Sequence, residues 1–318
     1  MRISSRRPAR NRGHDSGLPN TRVGVDNAGC AQIKVCSIIM ATPERVIVVM
    51  PAYNAGKTIA LTYRELPHEL LAMVIVVDDA SKDETVAIAR KLDLRLLVHS
   101  RNRGYGANQK TCYREALHAG ATIVVMVHPD YQYDPRLLPE LIRPIADGTA
   151  DVVLGSRFMG ASPVTQGMPR WKFLGNRMLT RIENALFGLH LAEYHTGYRA
   201  FRREVLEAIP FCLNSDRFVF DQEIIAQIVA GGYRIAETPV PTKYQPESSS
   251  ASLAQSVRYG FGILWMLARF KAHIAGLVEQ HWLRPTKGCR ENQRATTIDA
   301  TSSAEPGRAG SDARPIHH

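Results

Sequence analysis

Five residues at the end of one apolar run, His128-Pro129-Asp130-Tyr131-Gln132, bring an imidazole, a carboxylate and a carboxamide within a single turn of chain. They follow Ala121-Thr122-Ile123-Val124-Val125-Met126-Val127, a β-branched run of the length of a buried strand. Polar groups at the carboxyl end of such a strand stand where open α/β sheets hold ligands, so the chemistry they suggest is capture of a metal ion or a phosphate. A strand end turning into a helix at Asp134-Pro135 explains the same residues equally well. Asp78-Asp79 close a second apolar run, Val74-Ile75-Val76-Val77. Paired carboxylates there can accept hydrogen bonds from a nucleobase or a ribose, or can simply cap a helix opening at Asp83. Asp221 and Glu223 begin another helical pattern, where acidic groups also favour the helix N-terminus.

The elements that must position these groups alternate in type. Val46-Ile47-Val48-Val49-Met50, Val74 to Val77, Leu94 to Val98, Ile123 to Val127 and Asp151-Val152-Val153-Leu154 have the pattern of short buried strands. Helical patterns fall between them near 57–70, 83–92, 107–119 and 134–146, at the spacing of βαβ units. The expected fold class is therefore α/β, a mainly parallel sheet with helices on both faces. Beyond Leu154 come a Gly/Pro/Ser loop from Gly155 to Pro169, helices near 171–187 and 219–230, and a strand near Tyr233 to Val240.

Two phosphate-binding motifs are excluded by their spacing. Gly56-Lys57-Thr58 lacks the glycine that a P-loop needs five residues earlier, where Pro51 stands. No G-x-G-x-x-G follows the first strand, and Gly104-Tyr105-Gly106 after the third is a tight turn into a helix.

Read in order, the motifs resemble those of inverting GT-A glycosyltransferases of the dolichyl-phosphate mannosyltransferase type. The residues concerned are Pro51-Ala52-Tyr53-Asn54, Val77-Asp78-Asp79-Ala80-Ser81, the x-x-Asp-x-Gln of Asp130 and Gln132, and Gly155-Ser156-Arg157-Phe158. Thr196-Gly197-Tyr198-Arg199 continuing to Leu206, and Phe218-Val219-Phe220-Asp221-Gln222-Glu223, are similar to the later motifs, so the likeness covers about residues 45–265.

The resemblance implies a GT-A (Rossmann-like) nucleotide-diphospho-sugar transferase fold and transfer of a sugar from a nucleotide-sugar donor to a polyprenyl or dolichyl phosphate, a lipid-phosphate acceptor. It implies a divalent metal, Mg2+ or Mn2+, on Asp130 and Gln132, with donor contacts from Pro51, Ala52, Tyr53, Asn54, Asp78 and Asp79. Asp79 would meet the base, and Tyr53 would stack on it. His128 departs from the family pattern, standing where the first Asp of a D-x-D is usual; imidazole suits Mn2+ better than Mg2+. Arg157 would meet a phosphate, with Arg170 and Lys172 beside it. Arg199 either shares that task or pairs with a carboxylate. Glu223 matches the family's glutamate, and Asp221 would be a general base if the acceptor were a hydroxyl. Lys243 takes the basic place in a loop that closes on donor phosphates in the family, although this chain lacks that loop's glycine and second lysine. The alternative, prompted by His128, is a catalytically silent nucleotide-sugar-binding protein.

The ends of the chain have no apolar period: residues 1–42 and 284–318 are expected to be tails flanking a GT-A domain at 43–250 and an amphipathic helix at 251–283. Met40, directly before the first strand, is the expected physiological start. Much of the net charge of +10 sits in the first tail, where Arg2, Arg6, Arg7, Arg10, Arg12, Arg22 and Lys34 face only Asp15 and Asp26. The middle is mildly basic, and a nucleic-acid partner is not expected. The five cysteines lack a C-x-x-C pair, and no apolar leader segment follows the Arg-rich start, so a cytoplasmic protein is expected. Tyr259 to Ala268, an apolar run between Arg258 and Arg269, is too short to span a bilayer. It suits either peripheral contact with a membrane surface or packing against the domain or a second copy of the chain.

Overall fold

The computed structural model describes residues 44–160, 163–241 and 253–284. The terminal tails, Met40 and the loop carrying Lys243 lie outside the described residues.

Seven strands form one sheet: β1 (Val46–Ala52), β2 (Met73–Asp78), β3 (Arg95–Val98), β4 (Ile123–Met126), β5 (Val152–Ser156), β6 (Arg199–Arg202) and β7 (Ile235–Pro239). Among the described residues eight α-helices accompany them: α1 (Ile59–Arg64), α2 (Thr85–Ala89), α3 (Tyr105–His118), α4 (Leu138–Ala146), α5 (Arg170–Phe187), α6 (Arg203–Ala208), α7 (Phe220–Ala230) and α8 (Leu253–Ile274). All seven residues of β1 are buried, as a strand covered on both faces requires. Its alternate side chains serve two cores. Ile47 and Val49 join a cluster with Tyr113, Phe201, Ile224 and Met266. Val46, Val48 and Met50 join one with Ile59, Leu138 and Leu141 on the other face.

The strand order is β3-β2-β1-β4-β6-β5-β7, parallel except where β6 lies antiparallel between β4 and β5. From β1 the sheet grows to β2 on one side and β4 on the other. The chain reverses its winding there, which opens a crevice beyond the carboxyl ends of β1 and β4. The short first helix also has a local cause, since Pro67 ends the expected 57–70 pattern and leaves a separate 3-10 turn at His68–Leu70.

Strand β6 is the element that periodicity does not reveal. Its four residues, Arg-Ala-Phe-Arg, carry no apolar run, yet Met126 and Leu154 both pair with Arg199. Membership in the sheet is set by these two neighbours rather than by local propensity.

Among the described residues, three non-glycines adopt left-handed backbone: Asn54 (φ 50°), Ala80 (φ 58°) and Tyr131 (φ 55°). Each lies just beyond a carboxyl end, of β1, β2 and β4 respectively. Such conformations cost about 1–3 kcal/mol each and persist where surrounding contacts impose them. Asn54 receives a hydrogen bond at its side-chain oxygen from the Lys82 amide (2.9 Å) and donates its own amide to Ser81 (2.8 Å), stapling the β1 and β2 ends together. The Tyr131 hydroxyl is held by Glu65 at 2.5 Å.

Candidate active site

At the end of β1, Pro51 and Ala52 are buried in the sheet, whereas Tyr53 is 50% exposed with Asn54 beside it. The two neighbouring aspartates are both buried. Asp78 accepts from the Ser81 amide (2.9 Å) and hydroxyl (2.5 Å), closing the turn on which Ala80 is strained. Asp79 accepts from the Arg103 and Gly104 amides (2.9 Å each) and pairs with the His99 ring at 2.7 Å. Burial alone would raise the Asp79 pKa, but these hydrogen bonds outweigh it and hold the carboxyl below its ordinary value. Neither aspartate caps α2; Asp83 does the local work, accepting from the Thr85 amide (3.0 Å) and the Gly56 amide (2.9 Å). Asp79 therefore shapes the Arg103-Gly104 backbone that borders the crevice and leads into α3.

Beyond β4, Asp130 accepts the Gln132 amide at 3.1 Å, and both side chains are partly exposed. His128 faces inward. Its Nε2 lies 3.1 Å from the Tyr105 hydroxyl, and the two rings lie nearly parallel, with centroids 5.6 Å apart. Burial lowers the His128 pKa, against the raising influence of Asp130 and Asp221. Gly197 makes room for this ring: a Cβ there would stand 2.2 Å from Cδ2 and 2.5 Å from Nε2. The Thr196-Gly197 motif and the β4 end are thus one packing unit.

Asp221 is not placed as a free general base. Its carboxylate accepts from the Tyr105 hydroxyl (2.8 Å) and the Gln109 amide group (3.0 Å), and it lies 3.4 Å from the wholly buried Arg199 guanidinium. Arg199 also donates to the Thr196, Tyr194 and Asp221 carbonyls, which makes it a pillar between β6 and α7 rather than a phosphate contact. Glu223 accepts the Ser215 amide at 2.6 Å and so fixes the loop before α7. That loop lies against the α3 N-terminus, where Gly106 donates to the Asp216 carbonyl at 2.8 Å. A Cβ on Gly106 would stand 2.3 Å from the Ser215 carbonyl oxygen. Gly104-Tyr105-Gly106 is therefore more than a tight turn: it brings backbone close and aims Tyr105 at His128. Tyr105 was not singled out as a site residue from sequence, and this motif was the signal available.

The expected phosphate contact of Arg157 meets a physical obstacle. Its guanidinium is buried and paired with Glu193, itself fully buried, and it donates to the His195 carbonyl at 2.8 Å. Lys172 on α5 is a second basic group of this region, and it is half-buried. Its pKa is lowered by burial and by Arg157, while Glu193 and Asp130 pull it the other way. Arg170, two residues earlier at the start of α5, is exposed.

The donor set at the β4 end fits a hard or borderline cation that is only partly held by protein. His128, Asp130 and Gln132 offer a ring nitrogen, a carboxylate and a carboxamide oxygen. Among the described residues no group of three or more His, Cys, Asp or Glu is arranged to hold a metal alone. Mg2+ and Mn2+ ordinarily complete such a shell with phosphate oxygens and water.

Outside the crevice, α8 buries Ile263, Met266, Leu267 and Phe270 and exposes Val257, Phe261, Leu264 and Trp265. Helix α5, which packs on α8, exposes Trp171, Leu174 and Met178 along one side. The helix expected at 251–283 ends earlier, at Ile274, where the chain turns through Gly276 (φ 70°) to a separate 3-10 turn at His281–Leu283, and α8 is both packed against the domain and apolar toward solvent. No described helix is long and apolar enough to cross a membrane.

The sheet, seven strands that are mostly parallel, has the GT-A fold of solved glycosyltransferases. Glucosyl-3-phosphoglycerate synthase from Mycobacterium tuberculosis, solved with Mn2+, UDP and glucosyl-3-phosphoglycerate, matches it with a TM-score of 0.57 at 17% identity, over 72% of this chain and 80% of that one. The family model "Glycosyl transferase family 2" matches residues 47–209, and the chain belongs to that family of glycosyltransferases. The dolichyl-phosphate hexose transferase of Haloferax volcanii is 31% identical, over 68% of this chain and 93% of its own length. UDP-N-acetylglucosamine–dolichyl-phosphate N-acetylglucosaminyltransferase of Methanococcus voltae is 27% identical, over 71% and 96%.

Proposed function

We propose that the protein transfers a sugar, with inversion, from a nucleotide-sugar donor to a polyprenyl or dolichyl phosphate. The observation that carries this reading is the arrangement around α5. Half-buried Lys172 stands on the same helix as Trp171, Leu174 and Met178, whose exposed side chains offer an apolar track to solvent. A lipid phosphate has both parts, an anionic head for the lysine and a chain for the track. The names of the family relatives, which include dolichyl-phosphate transferases, support the same acceptor class.

In this reading the β1 end and the Asp79-shaped loop hold the nucleoside, with Tyr53 free to stack on the base. Asp130, Gln132 and His128 would hold a divalent cation, and its charge would offset that of the donor diphosphate. Lys172 holds the acceptor phosphate for in-line attack on the anomeric carbon. That oxygen is already anionic and needs no general base, which agrees with the engagement of Asp221 by Arg199, Gln109 and Tyr105. The apolar residues of α5 and α8, with Arg258 and Lys271 on α8, form a surface suited to peripheral contact with an anionic membrane face.

The test is release of nucleoside diphosphate from a panel of UDP- and GDP-sugars with Mg2+ or Mn2+. Each donor is supplied with a short polyprenyl phosphate, with a hydroxylated acceptor, or with none. Turnover that depends on the lipid phosphate supports the proposal. Turnover only with the hydroxyl acceptor, or donor binding without any turnover, refutes it.

A further inference from the structure

We infer that Tyr105, anchored by Asp221, is the positioning residue that fixes His128 as the Nε2–H tautomer and leaves its Nδ1 lone pair for the donor's cation. The argument is one of proton counting. The Tyr105 hydroxyl has one hydrogen and two polar neighbours, Asp221 Oδ2 at 2.8 Å and His128 Nε2 at 3.1 Å. A carboxylate offers only acceptors, so the hydroxyl hydrogen belongs to Asp221. Were Nε2 also a lone pair, it would face the phenol oxygen with no hydrogen between them. The ring must therefore donate Nε2–H to Tyr105, and neutral imidazole then carries its lone pair on Nδ1.

The packing gives this tautomer a direction. The Cδ2–Nε2 edge of the ring is pressed against Gly197, where no Cβ would fit, so Nδ1 lies on the opposite edge. The nearly parallel Tyr105 ring restricts rotation about that contact. Asp221 is itself fixed by Gln109 and Arg199, so the chain Arg199–Asp221–Tyr105–His128 runs from the buried pillar to the strand end. Imidazoles that bind metals commonly have their other nitrogen oriented by such a partner, whose removal weakens binding about 10- to 100-fold. The departure of His128 from an aspartate is thus matched by a device that an aspartate would not need.

The inference rests on the proposed donor reading, and two measurements separate them. The first is the ring-nitrogen 15N spectrum of His128 in the free protein, which needs no ligand. The expected result is the Nε2–H pattern in the parent and a mixture of tautomers in Tyr105→Phe. An Nδ1–H pattern in the parent overturns the inference and leaves the proposed reaction standing. The second is Mn2+ affinity measured with UDP or GDP present. Tyr105→Phe should weaken it about 10- to 100-fold, and should add nothing in a His128→Ala background. Unchanged affinity in Tyr105→Phe, or an equal loss in both backgrounds, overturns it. No nucleotide-dependent Mn2+ binding by the parent overturns the cation reading as a whole.

Discussion

Two charged regions of this protein use the same side-chain chemistry to opposite ends. Beneath β5 and β6, Arg157 is paired with Glu193, and Arg199 with Asp221, all at or near full burial. Nearby, Glu183 and His195 face each other across 3.4 Å inside the same core. Burial raises the Glu183 pKa well above its ordinary value and drops that of His195 to about 3, so it opposes the charged form of both. At the ends of β1 and β4, by contrast, Asp130, Gln132 and Tyr53 keep a solvent-facing side and partners that leave donor atoms unused. The inner charges are spent on partners inside the fold, and the outer groups are the ones the proposed reaction draws on.

The sharpest way to break this contrast is to unpair the inner region. Glu193→Ala leaves the Arg157 charge buried without its carboxylate and should cost about 3–5 kcal/mol in urea unfolding. A loss under about 1 kcal/mol would mean that Arg157 reaches solvent or ligand, as the motif alone suggests. Lys172→Ala tests the outer region. Losing one charge-assisted contact to phosphate should raise KM for a lipid phosphate roughly tenfold or more, with the melting temperature little changed. An unchanged KM would remove α5 from the acceptor path.

The pH dependence of Asp79 sharpens the border between the regions. Its folded-state pKa is lowered, so its stabilising hydrogen bonds are fully present above the unfolded aspartate value of about 3.9 and vanish as pH falls through the lower folded value. Asp79→Asn should therefore lower the melting temperature at pH 6, and the gap from the parent should narrow on acidification toward pH 2. A constant gap would show that the carboxylate charge contributes nothing. The smallest effect is expected at exposed Lys82, whose Ala variant should keep turnover within about twofold, because only its backbone amide is engaged.

The strands β1, β2 and β4 were legible because burial on both faces demands continuous β-branched runs. Strand β6 was not, since its pairing partners come from distant chain and its own residues are half arginine. The same limit applies to the site. The cluster His128 to Gln132 and the strand-end aspartates could be found from position alone, because a strand end is a local feature. The inward turn of Arg157 could not, because its partner Glu193 lies 36 residues on, beyond the whole of α5. Tyr105 escaped notice for a related reason: its role depends on Asp221, 116 residues away.

The division between an outer, reacting region and an inner, supporting one is tested most directly by a crystal structure with Mn2+ and a nucleoside diphosphate, using the anomalous signal of manganese to locate the ion. The metal should lie at ligand distance from Asp130 and His128 Nδ1, bridged to the diphosphate, with Arg157 still on Glu193. Manganese between Glu183 and His195, or a diphosphate seated on Arg157, would contradict it.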